Sequence, residues 1–203
     1  MAESPIDEQE LLRQLAQGQE WAFEQFYQRF QGPIYRFTLH MSGNAATAEE
    51  VTQEVFMVLI DNPRGYDPGK GKLISYLFGV ARNLTRRSLE RIRLDLPLMD
   101  EILGEEEVEA GAEAENGYAG NERDVLTELS RSEMLESLRK AVVTLPELYR
   151  EAVVLCDLEE MSYLQAAGVL GCSPGTVASR LHRGRNLLKV KLQTVFKGQP
   201  CAK

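Results

Sequence analysis

Thr176, Ser179, Arg180 and Arg183 recur at three- and four-residue steps, so on a helix they share one face made of cations and hydroxyls. Those groups suit the binding of a polyanion rather than catalysis. From Ser173 to Lys203 there are seven Lys or Arg and no Asp or Glu, in a chain of net charge -8. A charged helix face is ordinarily only a solvated face, but charge of one sign within an acidic chain points to an acidic partner. The surrounding residues explain how the face would be presented. Ser162 and Gln165 form a capping box, and Leu164, Ala167 and Leu170 repeat at helical spacing up to Gly171, a residue suited to a left-handed stop. Ser173-Pro174 restarts the helix at once, with Ser as N-cap and Pro at the first helical position. Val177, Leu181 and Leu188 would form the buried side. The pattern predicts a helix-turn-helix whose second helix fits the DNA major groove.

A second set of cations stands earlier. A helix predicted from about Leu73 to Arg93 turns Leu73, Leu77, Val80 and Leu84 inward and leaves Arg82, Arg86, Arg87 and Arg93 outside. It follows a Gly/Pro-rich loop, RGYDPGKGK, and lies beside the aromatics Tyr66, Tyr76 and Phe78. Cations that track phosphates and rings that stack bases are the means of holding single-stranded nucleic acid, although Tyr76 equally suits a core position. Nothing comparable supports catalysis. His40 and His182 are the only histidines, no Gly-rich phosphate loop is present, and Cys156, Cys172 and Cys201 lack metal-binding spacing. No enzyme activity, cofactor or metal is expected.

These cations need scaffolds. Phe23, Phe26, Tyr27, Phe30, Ile34 and Phe37 form an aromatic core stripe in which Gly32-Pro33 predicts a bend or break. The next helix is predicted to start at a Thr47-x-x-Glu50 capping box, to bury Val51, Val55 and Leu59, and to stop at Asn62-Pro63. Charge then divides the chain: residues 1–94 carry -1, residues 95–130 carry -11 and residues 131–203 carry +4. The acidic stretch, with EEEVEAGAEAENGYAGNERD, reads as a tether, either plainly solvated or functional, with Leu96, Leu98, Met99, Ile102 and Leu103 able to form a short amphipathic turn. The expected architecture is all-α: a helical domain over 1–94, an acidic linker over 95–130 and a helix-turn-helix domain over 131–203. The N-terminus MAESPIDEQE is too acidic for a signal peptide, and the longest apolar run, Val55–Ile60, is too short to cross a membrane. A cytoplasmic protein is expected.

Three segments carry a resemblance. TAEEVTQEVF (47–56), LISYLFGVARNLTRR (73–87) and LPELYREAVVLCDLEEMSYLQAAGVLGCSPGTVASRLHRGRNLLKVKL (145–192) resemble, in order, the extracytoplasmic-function (ECF) sigma factors of bacterial RNA polymerase. The resemblance implies that the 47–61 helix docks on core polymerase through Glu50, Gln53 and Glu54. It implies that the 62–72 loop and the following helix engage and melt the −10 element, with Asn62, Tyr66 and Asp67 as candidates for a pocket that takes a flipped base. Arg82, Asn83, Arg86 and Arg87 would contact the backbone or bubble edge, the aromatic Tyr76 would belong to the same −10 site, and Thr176, Ser179, Arg180, His182 and Arg183 would contact the −35 element. Implied partners are core RNA polymerase, promoter DNA and an anti-sigma factor.

Three departures from the family pattern stand out: Ala178 replaces a frequent basic residue, Tyr76 replaces Trp, and the tether is longer and more acidic. The family's linker threads towards basic channels of the polymerase, where an acidic chain could mimic nucleic acid. The rival reading is a stand-alone helix-turn-helix regulator with an N-terminal sensor or dimerisation unit. TAEEVTQEVF and the basic-aromatic helix have no role in such a regulator.

Overall fold

The computed structural model describes residues 8–62, 65–95 and 134–197, and every regular element among them is helical. Residues 96–133, which include all of the expected 95–130 tether except Asp95 and hold its apolar set from Leu96 to Leu103, lie outside the described residues, as does Cys201. The first half comprises α1 (Glu8–Ala16), α2 (Glu20–Ser42), α3 (Ala45–Asp61) and α4 (Leu73–Asp95), with a 3-10 turn at Pro68–Lys70. The second half comprises α5 (134–143), α6 (Glu147–Val153), α7 (Tyr163–Leu170) and α8 (Pro174–Lys197). The last turn of α6 widens into a π turn over Val154–Leu158.

The aromatic stripe forms the first core. Phe26, Phe30, Ile34 and Phe37 of α2 are buried, Phe23 and Tyr27 partly so, and Phe56 of α3 stands edge-on to Phe26 with ring centroids 5.7 Å apart. Three expectations are corrected here. α2 runs unbroken through Gly32-Pro33. A proline inside a helix costs about 3 kcal/mol, but buried side chains on both sides of Pro33, from Ala22 to Met41, hold the helix in one piece. α3 starts before Thr47: Asn44 is the N-cap and accepts from Thr47 N–H at 2.9 Å, which leaves Thr47 buried inside the helix. Phe78, grouped with the stacking aromatics, is a core residue at 2% exposure and lies 5.0 Å from Phe37.

In the second half the predicted local chemistry is present in detail. Ser162 and Gln165 make the capping box, Gly171 ends α7 at φ 63°, and Ser173 caps α8 by accepting from Thr176 N–H at 3.1 Å. Val177 and Leu181 are buried and Leu188 partly so. α6 crosses α8 at Gly184, where a Cβ would lie 2.7 Å from Val153 Cγ2 and 3.1 Å from the Tyr149 carbonyl oxygen.

The two halves share one hydrophobic cluster. Phe37, Leu77 and Phe78 belong to the same cluster as Val142, Val154, Leu155 and Ala166. α4 packs on α7, and α2 packs on α6 and the π turn. At the seam, Gly43 ends α2 in the left-handed region at φ 72°, and a Cβ there would stand 2.8 Å from Val143 Cγ1. The missing side chain thus serves both the turn and the close approach of α5.

Gly184→Val should lower urea unfolding stability by about 1–3 kcal/mol, because overpacking forces α6 and α8 apart. Gly79 lies inside α4 with nothing within 4 Å of the place a Cβ would take, so Gly79→Ala should raise stability by about 0.5–1 kcal/mol. Equal effects of the two substitutions would contradict the crossing.

Candidate nucleic-acid interface

α8 presents the first cationic face. Ser179, His182 and Arg183 are exposed, and Thr176 and Arg180 are half-buried at its edge. Several side chains are already held. Ser179 Oγ donates to the Thr176 carbonyl at 2.9 Å, Thr176 Oγ1 lies 2.9 Å from Ser173 Oγ, and His182 Nε2 lies 3.1 Å from Asn186 Nδ2. Arg180 folds back so that Nη1 lies 4.0 Å from Cys172 Sγ. Arg183 has no ion-pair partner among the described residues and points to solvent. It is the group on this face best placed to reach an acceptor on DNA.

The loop before α4 gathers three of its predicted residues. Tyr66 and Tyr76 rings stand 5.8 Å apart, and Gly65 is close enough to both Asn62 and Tyr76 that a Cβ would lie 3.0 Å from Asn62 Nδ2 and 2.8 Å from Tyr76 Oη. Tyr66 Oη donates to the Gly71 carbonyl at 2.8 Å, which fixes the ring across the loop. Asp67 instead caps the 3-10 turn by accepting from Gly69 N–H at 2.9 Å. Asn62, Tyr66 and Tyr76 therefore line one place, whereas the Asp67 carboxylate is engaged in the turn itself.

The α4 cations divide sharply. Asn83 and Arg87 are exposed, and Arg87 has no ion-pair partner among the described residues. Arg82 is sequestered: its side chain is 15% exposed, and its Nε and Nη2 donate to the two oxygens of Glu151, which is 0% exposed. Arg86 Nε lies 2.9 Å from Glu147 Oε1 at the half-exposed rim. Arg150 completes the seam by donating to the Met41 carbonyl at the end of α2 and to the Leu145 carbonyl at 3.1 Å. Burial holds the Arg150 pKa below its usual value. On α3, Glu50, Gln53 and Glu54 are exposed, and Glu50 is paired with Arg91 at 3.0 Å.

Glu151, Arg150 and Glu147 were not anticipated as functional residues. A signal was present. Glu151 lies on the same helical stripe as Val154 and Leu155, and Arg82 falls between Phe78 and Thr85, both buried. A charge on an apolar stripe demands a partner, but the sequence does not say which.

Comparison with known proteins decides the family. "Sigma-70 region 2" matches residues 26–94 and "Sigma-70, region 4" matches residues 135–188. The chain is 31% identical over 156 residues to the ECF RNA polymerase sigma factor EcfG of Rhodopseudomonas palustris, covering 77% of each. It belongs to the ECF sigma factors. The sigma factor is also 28% identical over 183 residues to SigW of Bacillus subtilis, across 90% of this chain and 95% of that relative. Its fold resembles that of the sigma factor RpoE in complex with the anti-sigma factor NepR from Bartonella quintana, at TM-score 0.65 and 23% identity, covering 84% of this chain and 96% of that one. A second likeness is to CnrH in complex with the cytosolic domain of CnrY, at TM-score 0.62 and 23% identity, covering 91% and 96%. The sigma factor directs RNA polymerase to promoters. The stand-alone regulator is not favoured. No helix among its described residues is long and apolar enough to cross a membrane.

One titratable group lies beside the seam. His40, in the last turn of α2, has no hydrogen-bond partner for its buried Nδ1. Burial, Arg139 and Arg36 together push its pKa from 6.5 down to about 4. In the unfolded chain the ring takes up a proton that the folded sigma factor refuses, so this stability is complete above about pH 6.5 and is lost as pH falls towards 4. The urea midpoint of the sigma factor should fall between pH 6.5 and pH 5, and His40→Gln should flatten that slope. An unchanged slope would remove His40 from the account.

Proposed function

We propose that the two cationic faces divide the reading of one promoter. Arg183, with Thr176, Ser179, Arg180 and His182, reads the −35 element from α8. Asn62, Tyr66 and Tyr76 take an unstacked base of the −10 element, with Asp67 shaping the loop. Arg82, Asn83, Arg86 and Arg87 hold the adjoining backbone, and Glu50, Gln53 and Glu54 meet core polymerase. The observation that carries this division is the exposed, acid-free face of α8 beside a separate aromatic loop on the region 2 bundle. A major groove suits the first and a single strand the second. The chain acts in the cytoplasm and catalyses no reaction of its own, and an anti-sigma factor of the kind present in the two similar structures is its expected restraint. The tether as a mimic of nucleic acid in the polymerase channels falls on residues outside the described ones.

Run-off transcription with core polymerase on genomic fragments tests the reading and reveals the promoter. Arg183→Ala should weaken binding of the holoenzyme to a −35 duplex by roughly tenfold, since a bidentate guanine contact is worth ~1–3 kcal/mol. Arg87→Ala should leave that binding unchanged and slow promoter opening. Equal loss of duplex binding in both variants would contradict the division.

A further inference from the structure

We infer that a groove on the tail of α8 is the docking site for the chain's own apolar and acidic segment, residues 96–107. Past its crossing with α6, α8 carries a shallow groove of about 400 Å³ lined by Arg185, Leu188, Lys189, Leu192 and Gln193. The lining comes from one helix at three- and four-residue steps, which is the spacing of a helical seam with no second helix in it among the described residues. Leu188 is half-buried because its far side packs on the cluster of Leu145, Ala152, Val153 and Leu181. Leu192 completes an apolar floor, and the stems of Arg185 and Lys189 wall it while their charges stay at the rim.

An apolar floor under a cationic rim selects its occupant. A second copy of the same face would bring the same charges, since α8 carries Arg180, Arg183, Arg185, Lys189 and Lys191 and no carboxylate as far as Gln193. Like charges set face to face oppose that pairing. Residues 96–107, LPLMDEILGEEE, have the complementary chemistry. Leu98 with Ile102 and Met99 with Leu103 repeat at four-residue spacing, the pattern by which an amphipathic segment fills a groove. Asp100, Glu101, Glu105, Glu106 and Glu107 accompany them without a single cation. Arg185 already pairs with Asp157, so Lys189 is the rim cation that such carboxylates would meet first.

The segment also begins close to the groove. Arg86 of α4 is 2.9 Å from Glu147 in the first turn of α6, and Leu188 lies against the cluster to which α6 contributes Ala152 and Val153. From Asp95, where α4 ends, the chain out to Ile102 extends up to ~23 Å, about twice the spacing of two packed helix axes. Docking has an electrostatic consequence. Lys189 and Arg183 are ~9 Å apart along α8, close to one Debye length at physiological salt, so carboxylates held at the groove weaken the attraction of this helix for any polyanion. The docking rests on the groove and the segment, not on the promoter reading above.

The full chain with the photo-cross-linker p-benzoylphenylalanine in place of Gln193 is illuminated without DNA or polymerase, digested with trypsin and read by mass spectrometry. The cross-link should join α8 to the peptide spanning residues 94–123 of the same chain. Cross-links to a second copy, cross-links only to the helices that already flank α8, or none at all overturn the docking. Leu98→Ser with Ile102→Ser removes apolar contact without changing net charge or touching the helical core. In that background the cross-link yield should fall several-fold, and the otherwise unmodified protein should elute from heparin, a polyanion with no promoter sequence, at higher salt than wild type. An undiminished yield or an unchanged elution overturns the inference. A protein that failed to support run-off transcription would overturn the promoter reading and leave both of these readouts in place.

Discussion

A carboxylate with no exposed surface is tolerated only when its charge is met, and Glu151 is met by Arg82 across the seam between the two halves. Removing one partner of such a pair costs about 3–5 kcal/mol, because the other charge stays buried alone. Replacing both by apolar groups is often harmless, so the pair is not there to maximise stability. It sets which faces meet. α4 must bring Arg82 to α6, and that registration also brings Arg86 to Glu147, Arg150 to the end of α2 and Val143 onto Gly43.

The helix-turn-helix was legible because its determinants are local. Ser162 with Gln165, Gly171, and Ser173 followed by Pro174 each act within four residues, and the folded chain uses every one of them. The core stripes were equally legible, since periodicity alone places Phe26, Ile34 and Phe37 on one face. The failures were those of local rules overruled by packing. Pro33 breaks an isolated helix, but α2 is buried on both sides of it. Thr47 is a good N-cap, but Asn44 lies three residues earlier and caps first, so Thr47 becomes buried helix interior.

Contacts between distant segments were illegible for a different reason. Arg82 and Glu151 are 69 residues apart, and the sequence shows each only as a charge on an apolar stripe. Such a stripe says that a partner is needed and nothing about where it is. The same holds for Gly43 and Gly184, whose missing side chains answer to Val143 and Val153. In the loop before α4 the sequence grouped Asn62, Tyr66 and Asp67 without ranking them. Packing gathers Asn62 with the two tyrosines around Gly65, while Asp67 caps its own turn.

The seam treats the two cationic faces unequally. Arg183, Ser179 and His182 remain open to solvent, whereas Arg82 is enclosed and Arg86 is paired. A closed chain would keep a basic surface able to meet duplex DNA through phosphates, an encounter that is weak and steeply salt-dependent. The Arg82 guanidinium, by contrast, is taken up by Glu151, and a group so enclosed reaches no outside anion while the seam is closed.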